Sequence, residues 1–366
     1  MRIVVAMDSW KGSLTSVEAN EAVARAFDEE EVVTIPMSDG GEGFLDAWHA
    51  MQDGNIIKEE QLTLDETLRT TRFGWDETTR HAVIEVAEAS GIQRVERLNP
   101  SFYSSYGTGL QIRQALDCGA RKITVGLGGS GTIDGGKGVL EALGVRFMDA
   151  SGNVLPTYPH ALDRVASIDW SGLHPAVRDV QWRMASDVTN PLCGPSGAVY
   201  TFGQQKGVSR HDMERFDSAM RRYASCFEQD TMQQVGAGAA GGIGFALLQL
   251  GASVHRGIDE VMAWSHFDTI IESADWLITG EGRFDEQTLY GKAPFGLARR
   301  AQRHSVPTIV FTGQSTMTSY REAGILSVVP VVSRPMTETE AFRDASTLLT
   351  AAVRRIIPLL QRQSDH

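Results

Sequence analysis

Apolar positions along the chain fall into short runs that alternate with segments of helical spacing. Residues 2–6 form a β-branched run of strand length. Thr15-x-x-Glu18 then reads as a capping box, opening a helix with Val17, Val23, Ala24 and Phe27 on its apolar side. Residues 31–37 predict a second strand, followed by a helix that buries Leu45, Trp48 and Met51. The same alternation returns late in the chain. Residues 275–279, 307–311 and 325–332 read as strands, 292–303 and 319–323 as helices. A final helix is capped by Thr337-x-x-Glu340 and disturbed at Pro358. Strand–helix alternation of this kind predicts a parallel sheet.

The middle of the chain has a different texture. Residues 61–75 and 80–86 predict antiparallel strands around the turn Asp76-Glu77-Thr78, with Glu85 facing solvent. Tyr106-Gly-Thr-Gly109 precedes a helix at 110–118, Thr108 serving as its N-cap, and a strand follows at 122–125. Residues 145–148 and those from 154 onward predict a hairpin, and 180–185 a strand. Residues 209–230 read as an amphipathic helix whose stripe of Met213, Phe216, Met220, Tyr223 and Phe227 faces a core. The glycine-dense segment 236–244 opens an apolar helix and reads as close helix packing. The fold class expected is α/β: a parallel-sheet Rossmann- or flavodoxin-like domain (1–55, 100–140, 270–366) and an inserted α/β domain with antiparallel strands (56–99, 141–269). The default ligand site is then a cleft between them.

Length and charge narrow the choices. A chain of 366 residues suits two domains, and a net charge of −12 with no basic tract argues against a nucleic-acid partner. Three widely spaced cysteines, Cys118, Cys193 and Cys226, offer neither a disulfide framework nor zinc spacing, which points to a reducing compartment. No signal peptide and no apolar run of ~18 residues is visible, so no membrane partner is expected and the reading is cytoplasmic. A homodimer is compatible with these features.

The candidate chemistry centres on Val125-Gly-Leu-Gly-Gly-Ser-Gly-Thr-Ile-Asp-Gly-Gly-Lys-Gly138. Glycines at a strand-to-helix turn let backbone amides approach an anion closely. Gly128, Gly129, Ser130, Thr132 and Gly135 are the candidate phosphate seat. Gly126-x-Gly128-x-x-Gly131 matches a dinucleotide fingerprint, and Gly131-x4-Gly136-Lys137 most of a Walker A loop, with Gly138 where Ser or Thr belongs. Three further predicted strands end in glycine plus carboxylate: Asp8-Ser-Trp-Lys-Gly-Ser13, Ser38-Asp-Gly-Gly-Glu-Gly43 and Gly280-Glu-Gly-Arg-Phe-Asp285. Ligands of open α/β sheets bind at such strand ends. An edge gathering Asp8, Asp39, Glu42, Asp134, Glu281 and Asp285 repels itself unless Mg²⁺ and the cations Lys11, Arg283 and Lys292 neutralise it. Asp39, Glu42, Asp134 and Glu281 are the expected metal ligands. In the loop after 180–185, Asp187 could take a proton from a substrate hydroxyl and Asn190 could hold metal or substrate.

Seven motifs carry a resemblance. Ala-x-Asp-Ser-x-Lys-Gly-Ser from Ala6, Ser-Asp-Gly-Gly-Glu-Gly from Ser38, Tyr-Gly-Thr-Gly from Tyr106 and Gly-Leu-Gly-Gly-Ser with Asp-Gly-Gly from Gly126 are the first four. Asp-Val-x-Asn-Pro-Leu-Cys-Gly-Pro from Asp187, Gly-Ala-Gly-Ala-Ala-Gly-Gly from Gly236, and Thr-Gly-Glu-Gly-Arg with Gly-Lys-Ala-Pro from Thr279 complete the set. In this order, over essentially the whole chain, they resemble the bacterial two-domain glycerate kinase family. The resemblance implies ATP-dependent phosphorylation of D-glycerate, most often to 2-phosphoglycerate, in sugar- and organic-acid breakdown, with Mg²⁺. On that footing Asp187 first and Asp8 second are candidates for the base. Lys11, Arg283 and Lys292 would hold γ-phosphate or the glycerate carboxylate, and Ser9, Ser13 and Asn190 would contact the acceptor. Two departures stand out: Met7-Asp-Ser-Trp10 replaces the usual Pro-Asp-Ser-Phe, and Ile133 replaces a polar amide beside Asp134. The family has no true Walker A, which makes the Lys137 match a coincidence. Alternatives are a kinase for another small hydroxy acid, a disabled sugar-acid-binding protein, and an NAD-dependent dehydrogenase. The last needs an acidic residue about 20 positions past the fingerprint, where Asp149 lies in a predicted hairpin turn.

Overall fold

The structure is a computed structural model that describes residues 1–285, 293–317 and 320–363. Its strands in chain order are β1 (Arg2–Met7), β2 (Glu31–Thr34), β3 (Asn55–Leu62), β4 (Leu68–Asp76), β5 (His81–Glu85), β6 (Lys122–Gly126), β7 (Arg146–Met148), β8 (Ser167–Asp169), β9 (Gln181–Ala185), β10 (Ser253–His255), β11 (Trp276–Phe284), β12 (Thr308–Ser315) and β13 (Ile325–Pro330). Two compact units share them. The first comprises residues 1–39, 46–52 and 258–366, the second 40–45 and 53–257.

The first unit is built on a five-stranded sheet, order β13-β12-β11-β1-β2, with every neighbouring pair parallel. β1 is buried from Ile3 to Met7, as its run of β-branched residues predicts. Ile3, Val5, Trp276, Ile278 and Phe311 pack in one core with Ala19, Val23, Leu349 and Val353. Both predicted capping boxes form. Thr15 Oγ1 accepts from the Glu18 amide at 3.2 Å while Glu18 accepts from the Thr15 amide at 2.8 Å, and Thr337 with Glu340 does the same. The C-terminal segment is two helices, Glu338–Arg343 and Ala345–Gln363, and Pro358 lies within the second. Pro358 is exposed there, and its missing N–H removes one donor from the helix ladder. β11 runs to Phe284, beyond the predicted strand end at Thr279, because Glu281, Arg283 and Phe284 pair with Thr312, Gln314 and Ser315 of β12.

The second unit carries a six-stranded sheet, order β10-β9-β6-β5-β4-β3, parallel from β10 to β5 and antiparallel at β4 and β3. The strand at 122–126 therefore belongs here, between β5 and β9, and not with β1 as its motif position suggested. Residues 100–140 go with it, and 258–269 go with the first unit. The predicted single strand at 61–75 is two, β3 and β4, joined by a turn at 63–67. Asp65 builds that turn, accepting from Thr63 Oγ1 at 2.8 Å and Thr67 Oγ1 at 2.7 Å. Only side-chain chemistry marks it, since no Gly or Pro is present. Val154 makes an isolated bridge to Met148, and the true partner of β7 is β8.

Three other expectations change. Glu85 is 3% exposed and accepts from the amides of Gly43 (3.3 Å) and Leu45 (3.0 Å), so it caps the helix Phe44–Met51 from within. Thr108 lies inside the helix Tyr106–Asp117, hydrogen-bonded to Ser90 Oγ at 2.7 Å, and Ser105 holds the N-cap position. The amphipathic helix is shorter, Met213–Ala224, but Phe216, Met220, Tyr223 and Phe227 are core residues as expected.

The segment 236–244 does pack closely, and its partner is the other glycine-dense loop. A β-carbon on Gly241 (φ +67°) would stand 1.9 Å from the Thr132 carbonyl oxygen. Gly241→Ala therefore combines left-handed strain with a backbone clash, and we expect a loss of at least about 2 kcal/mol in denaturant unfolding. A second prediction concerns His81. Burial, helped by Lys122 and Arg183 and opposed by Asp76, pushes its pKa from 6.5 down to about 3. A depressed folded-state value means the stability is present above pH 6.5 and is lost as pH falls toward 3. His81→Gln should flatten that stretch of the acid-unfolding curve.

Candidate active site

Counting only the strands of the first sheet, the order 2-1-3-4-5 places β1 and β11 at the point where chain connections diverge to opposite faces. Ligands of open α/β sheets bind there, beyond the carboxyl ends of the strands. A cavity of about 910 Å³ opens at that position. Asp8, Ser9, Lys11 and Ser13 line it from the segment after β1, Asp39 from the segment after β2, and Glu281, Arg283 and Asp285 from the end of β11. Trp10, Val331, Val332, Met336, Phe342 and Leu348 give it an apolar wall. Lys292 lies outside the described residues.

Backbone pairing sets this group. Met7 faces Gly280 in the β1–β11 register, and the Asp8 amide donates to the Gly280 carbonyl at 2.9 Å. A β-carbon at Gly280 would meet the Phe311 carbonyl oxygen at 2.1 Å, so only glycine lets three strand ends close together. Buried Asn20 braces the end of β1, accepting from the Met7 amide and donating to the Met7 carbonyl, both at 3.3 Å. Burial is the main reason that the Asp8 carboxyl titrates well above the usual carboxylate range. Asp39 and Glu281 push it further the same way, while the Ser9 amide and Lys11 pull it back. Arg283 Nε lies 3.2 Å from Asp285.

The glycine loop of the second unit is organised differently from its sequence reading. Asp134 is fully buried and its carboxylate accepts from the Ser105 amide (2.8 Å), Ser105 Oγ (2.7 Å), the Gly136 amide (3.0 Å) and the Gly138 amide (3.3 Å). It ties the start of the helix Tyr106–Asp117 to that of Lys137–Ala142, and four protein donors stand where a metal was expected. The amide of Gly128 donates to Gly40, that of Gly131 to Ser90 and that of Gly135 to Gly241. A β-carbon on Gly128 would meet Gly41 Cα at 2.3 Å. Most of the loop's amides and bare backbone thus serve internal packing, not an anion seat. Thr132 is buried, its hydroxyl 3.5 Å from the Ala240 carbonyl. Lys137 is buried against Glu141 and the Pro156 carbonyl, an internal contact unlike that of a phosphate-binding lysine. Ile133 is a core residue, so the exchange for an apolar side chain extends the core.

The remaining candidates are scattered. Glu42 is exposed and accepts from Gln93 Nε2 at 2.9 Å. Asn190 Nδ2 braces its own loop, donating to the Ser196 carbonyl at 2.7 Å and Thr201 Oγ1 at 3.2 Å. Asp187 accepts from the Gly257 amide at 3.2 Å, with Arg256 Nε 3.9 Å away. Asp149 caps a hairpin turn through the amides of Ser151 and Asn153, both at 2.9 Å, which removes it as a ribose ligand. Lys206, which the sequence marks only as one further cation, is 3% exposed and donates to Ser130 Oγ at 2.7 Å and the Thr132 carbonyl at 3.0 Å. Nothing in Phe202-Gly-Gln-Gln-Lys-Gly signals that this lysine is buried. Among the described residues, no group of three His, Cys, Asp or Glu forms a ready metal cage, and no helix is long and apolar enough to cross a membrane.

The family model for the glycerate kinase family matches residues 3–361. The chain belongs to the glycerate kinase family. It is 40% identical to a glycerate kinase of Bacillus cereus over 100% of this chain and 99% of that one. It is 38% identical to the glycerate 2-kinase of Escherichia coli K12 over 98% of each. A crystal structure of a candidate glycerate kinase 2 from Salmonella typhimurium LT2 superposes with a TM-score of 0.87 at 37% identity, each chain fully covered. As a glycerate kinase family member the protein is a phosphoryl-transfer enzyme that uses ATP as a substrate.

A carboxyl group held above its normal range is a structural cost. Its stability contribution is lost as pH rises through the folded-state value. We expect Asp8→Asn to raise the thermal midpoint in metal-free buffer near pH 7. An unchanged or lower midpoint would show that Asp8 is not under repulsion.

Proposed function

We propose that this chain transfers the γ-phosphoryl group of ATP to a hydroxyl of D-glycerate, giving 2-phospho-D-glycerate. The observation that carries the reading is the convergence of Asp8, Asp39 and Glu281 with Lys11 in one cavity at the carboxyl ends of β1 and β11. A cavity of about 910 Å³ is far larger than a three-carbon acid needs and falls within the range of nucleotide-sized pockets. Its apolar wall suits a base and its charged end suits phosphates.

Asp8 is the favoured base for the acceptor hydroxyl. A carboxylate whose pKa is raised takes a proton more effectively than an ordinary one. Asp187, favoured by sequence, is held by Arg256 and the Gly257 amide, which leaves it the weaker candidate. Lys11 and Arg283 offer positive charge to the transferring phosphoryl group. Ser9 and Ser13 line the same cavity and offer hydroxyls to the acceptor.

The donor set fits Mg²⁺ in charge and in kind. Asp39 and Glu281 supply hard oxygens beside Asp8, and Mg²⁺ commonly takes one or two carboxylates with the rest of its shell from phosphates and water. Bound there, the ion would neutralise phosphate charge. The protein's own share is to orient the acceptor, exclude water and hold the proton on Asp8.

The test is ADP release with a panel of small hydroxy acids, with phosphorus NMR to identify the product. D-glycerate should be the best acceptor. Lys11→Ala should lower kcat/KM roughly 100-fold, the scale of losing one charged contact to a transition state. No ADP release with any hydroxy acid would refute the proposal, and unchanged kinetics in Lys11→Ala would remove that side chain from the mechanism.

A further inference from the structure

The cavity at the carboxyl ends of β1 and β11 has walls of two kinds. Among the described residues that line it, the cations are Lys11 and Arg283, from the segment after β1 and the end of β11. Residues 331–348 supply another wall, whose one charged member is Glu338, an acid. Val331, Val332, Met336 and Leu348 make that wall largely apolar. All of these residues belong to the first unit. An anionic ligand finds its counter-charges at Lys11 and Arg283, and only its uncharged part suits the 331–348 wall.

Phe342 is the aromatic side chain of that wall. It lies on the helix Glu338–Arg343 and is 43% exposed. Its support is fixed at both ends. Thr337 and Glu340 close the capping box at the helix start, and the Asp344 amide donates to the Glu340 carbonyl at 3.0 Å at its end. A β-carbon on Gly12 would stand 3.1 Å from Phe342 Cε2, and Gly12 has φ +81°. Glycine at that position therefore lets the ring rest against the residue next to Lys11. Apolar surface left exposed on a cavity wall and rimmed by polar groups marks a ligand contact. D-glycerate has no use for it, since a carboxylate and two hydroxyls on three carbons offer no apolar face. A nucleobase is a flat uncharged ring joined to a chain of phosphates, and it answers both walls at once. We propose that Phe342 stacks on the base of ATP, with the triphosphate directed toward Lys11 and Arg283. The inference rests on the kinase reading above and names the residue that grips the nucleotide by its base.

The experiment compares ADP with inorganic pyrophosphate, which keeps the phosphates and lacks the nucleoside. Each is titrated calorimetrically into the full chain in Mg²⁺ buffer. Phe342→Ala should weaken ADP on the order of 10-fold, the scale of losing one base–aromatic stack, and leave pyrophosphate as it was. Phe342→Tyr, which keeps the ring, should retain ADP affinity. In turnover, Phe342→Ala should raise KM for ATP by a similar factor and not KM for D-glycerate. Unchanged ADP affinity in Phe342→Ala, or equal weakening of ADP and pyrophosphate, would overturn the inference. If Phe342→Ala does not fold, Phe342→Leu decides by the same comparison, because it keeps apolar bulk and removes the aromatic face. A wild type that binds ADP tightly while these variants do so equally well defeats this inference alone. A wild type that binds no ADP and turns over no hydroxy acid defeats the functional reading together with it.

Discussion

Parallel pairing between β1 and β11 is the constraint on which the candidate site depends. The strands are far apart in sequence, and the Thr279 hydroxyl donates to the Ala6 carbonyl across 273 positions at 2.6 Å. The register brings Met7 beside Gly280, and from that single alignment Asp8 and Glu281 emerge at the same edge. Neither carboxylate would choose the other's company. The main-chain hydrogen bonds and the buried apolar face of the sheet hold them together against their repulsion, and the strained ionisation of Asp8 is the result.

The second unit solves a related problem with the opposite outcome. Its buried charges are satisfied from within the protein. Asp134 is surrounded by donors at two helix starts, Glu85 by amides at a third, and Glu88 by Arg72 at 2.7 Å and Arg94 at 2.8 Å. Satisfied buried charges rigidify the loops that carry them. The two glycine-dense segments contribute by letting backbone approach backbone, Gly241 against Thr132 and Gly242 against Gly135. Lys206 stands apart because its described contacts leave its charge without a counter-ion at hydrogen-bond distance.

Much was legible in the residues because it depends on local rules. The capping boxes at Thr15 and Thr337, the β-branched run of β1 and the apolar stripe from Phe216 to Phe227 each follow from short-range geometry that the chain carries wherever it is placed. The α/β class and the gathering of Asp8, Lys11, Asp39 and Glu281 followed from strand ends marked by glycine and acid. Motif order along the whole chain was enough to name the family.

What sequence alone determined, then, was the set of elements, their strand-end chemistry and the kinship. Only the tertiary structure decided which sheet each strand joins and what each polar group touches. Lys122–Gly126 could pair with any parallel strand, and its apolar run is indifferent to the choice. A carboxylate beside glycines reads the same whether it lies among other carboxylates, as Asp8 does with Asp39 and Glu281, or is enclosed by amides, as Asp134 is. The difference lies in donors contributed from positions distant in the chain, and no local pattern encodes them.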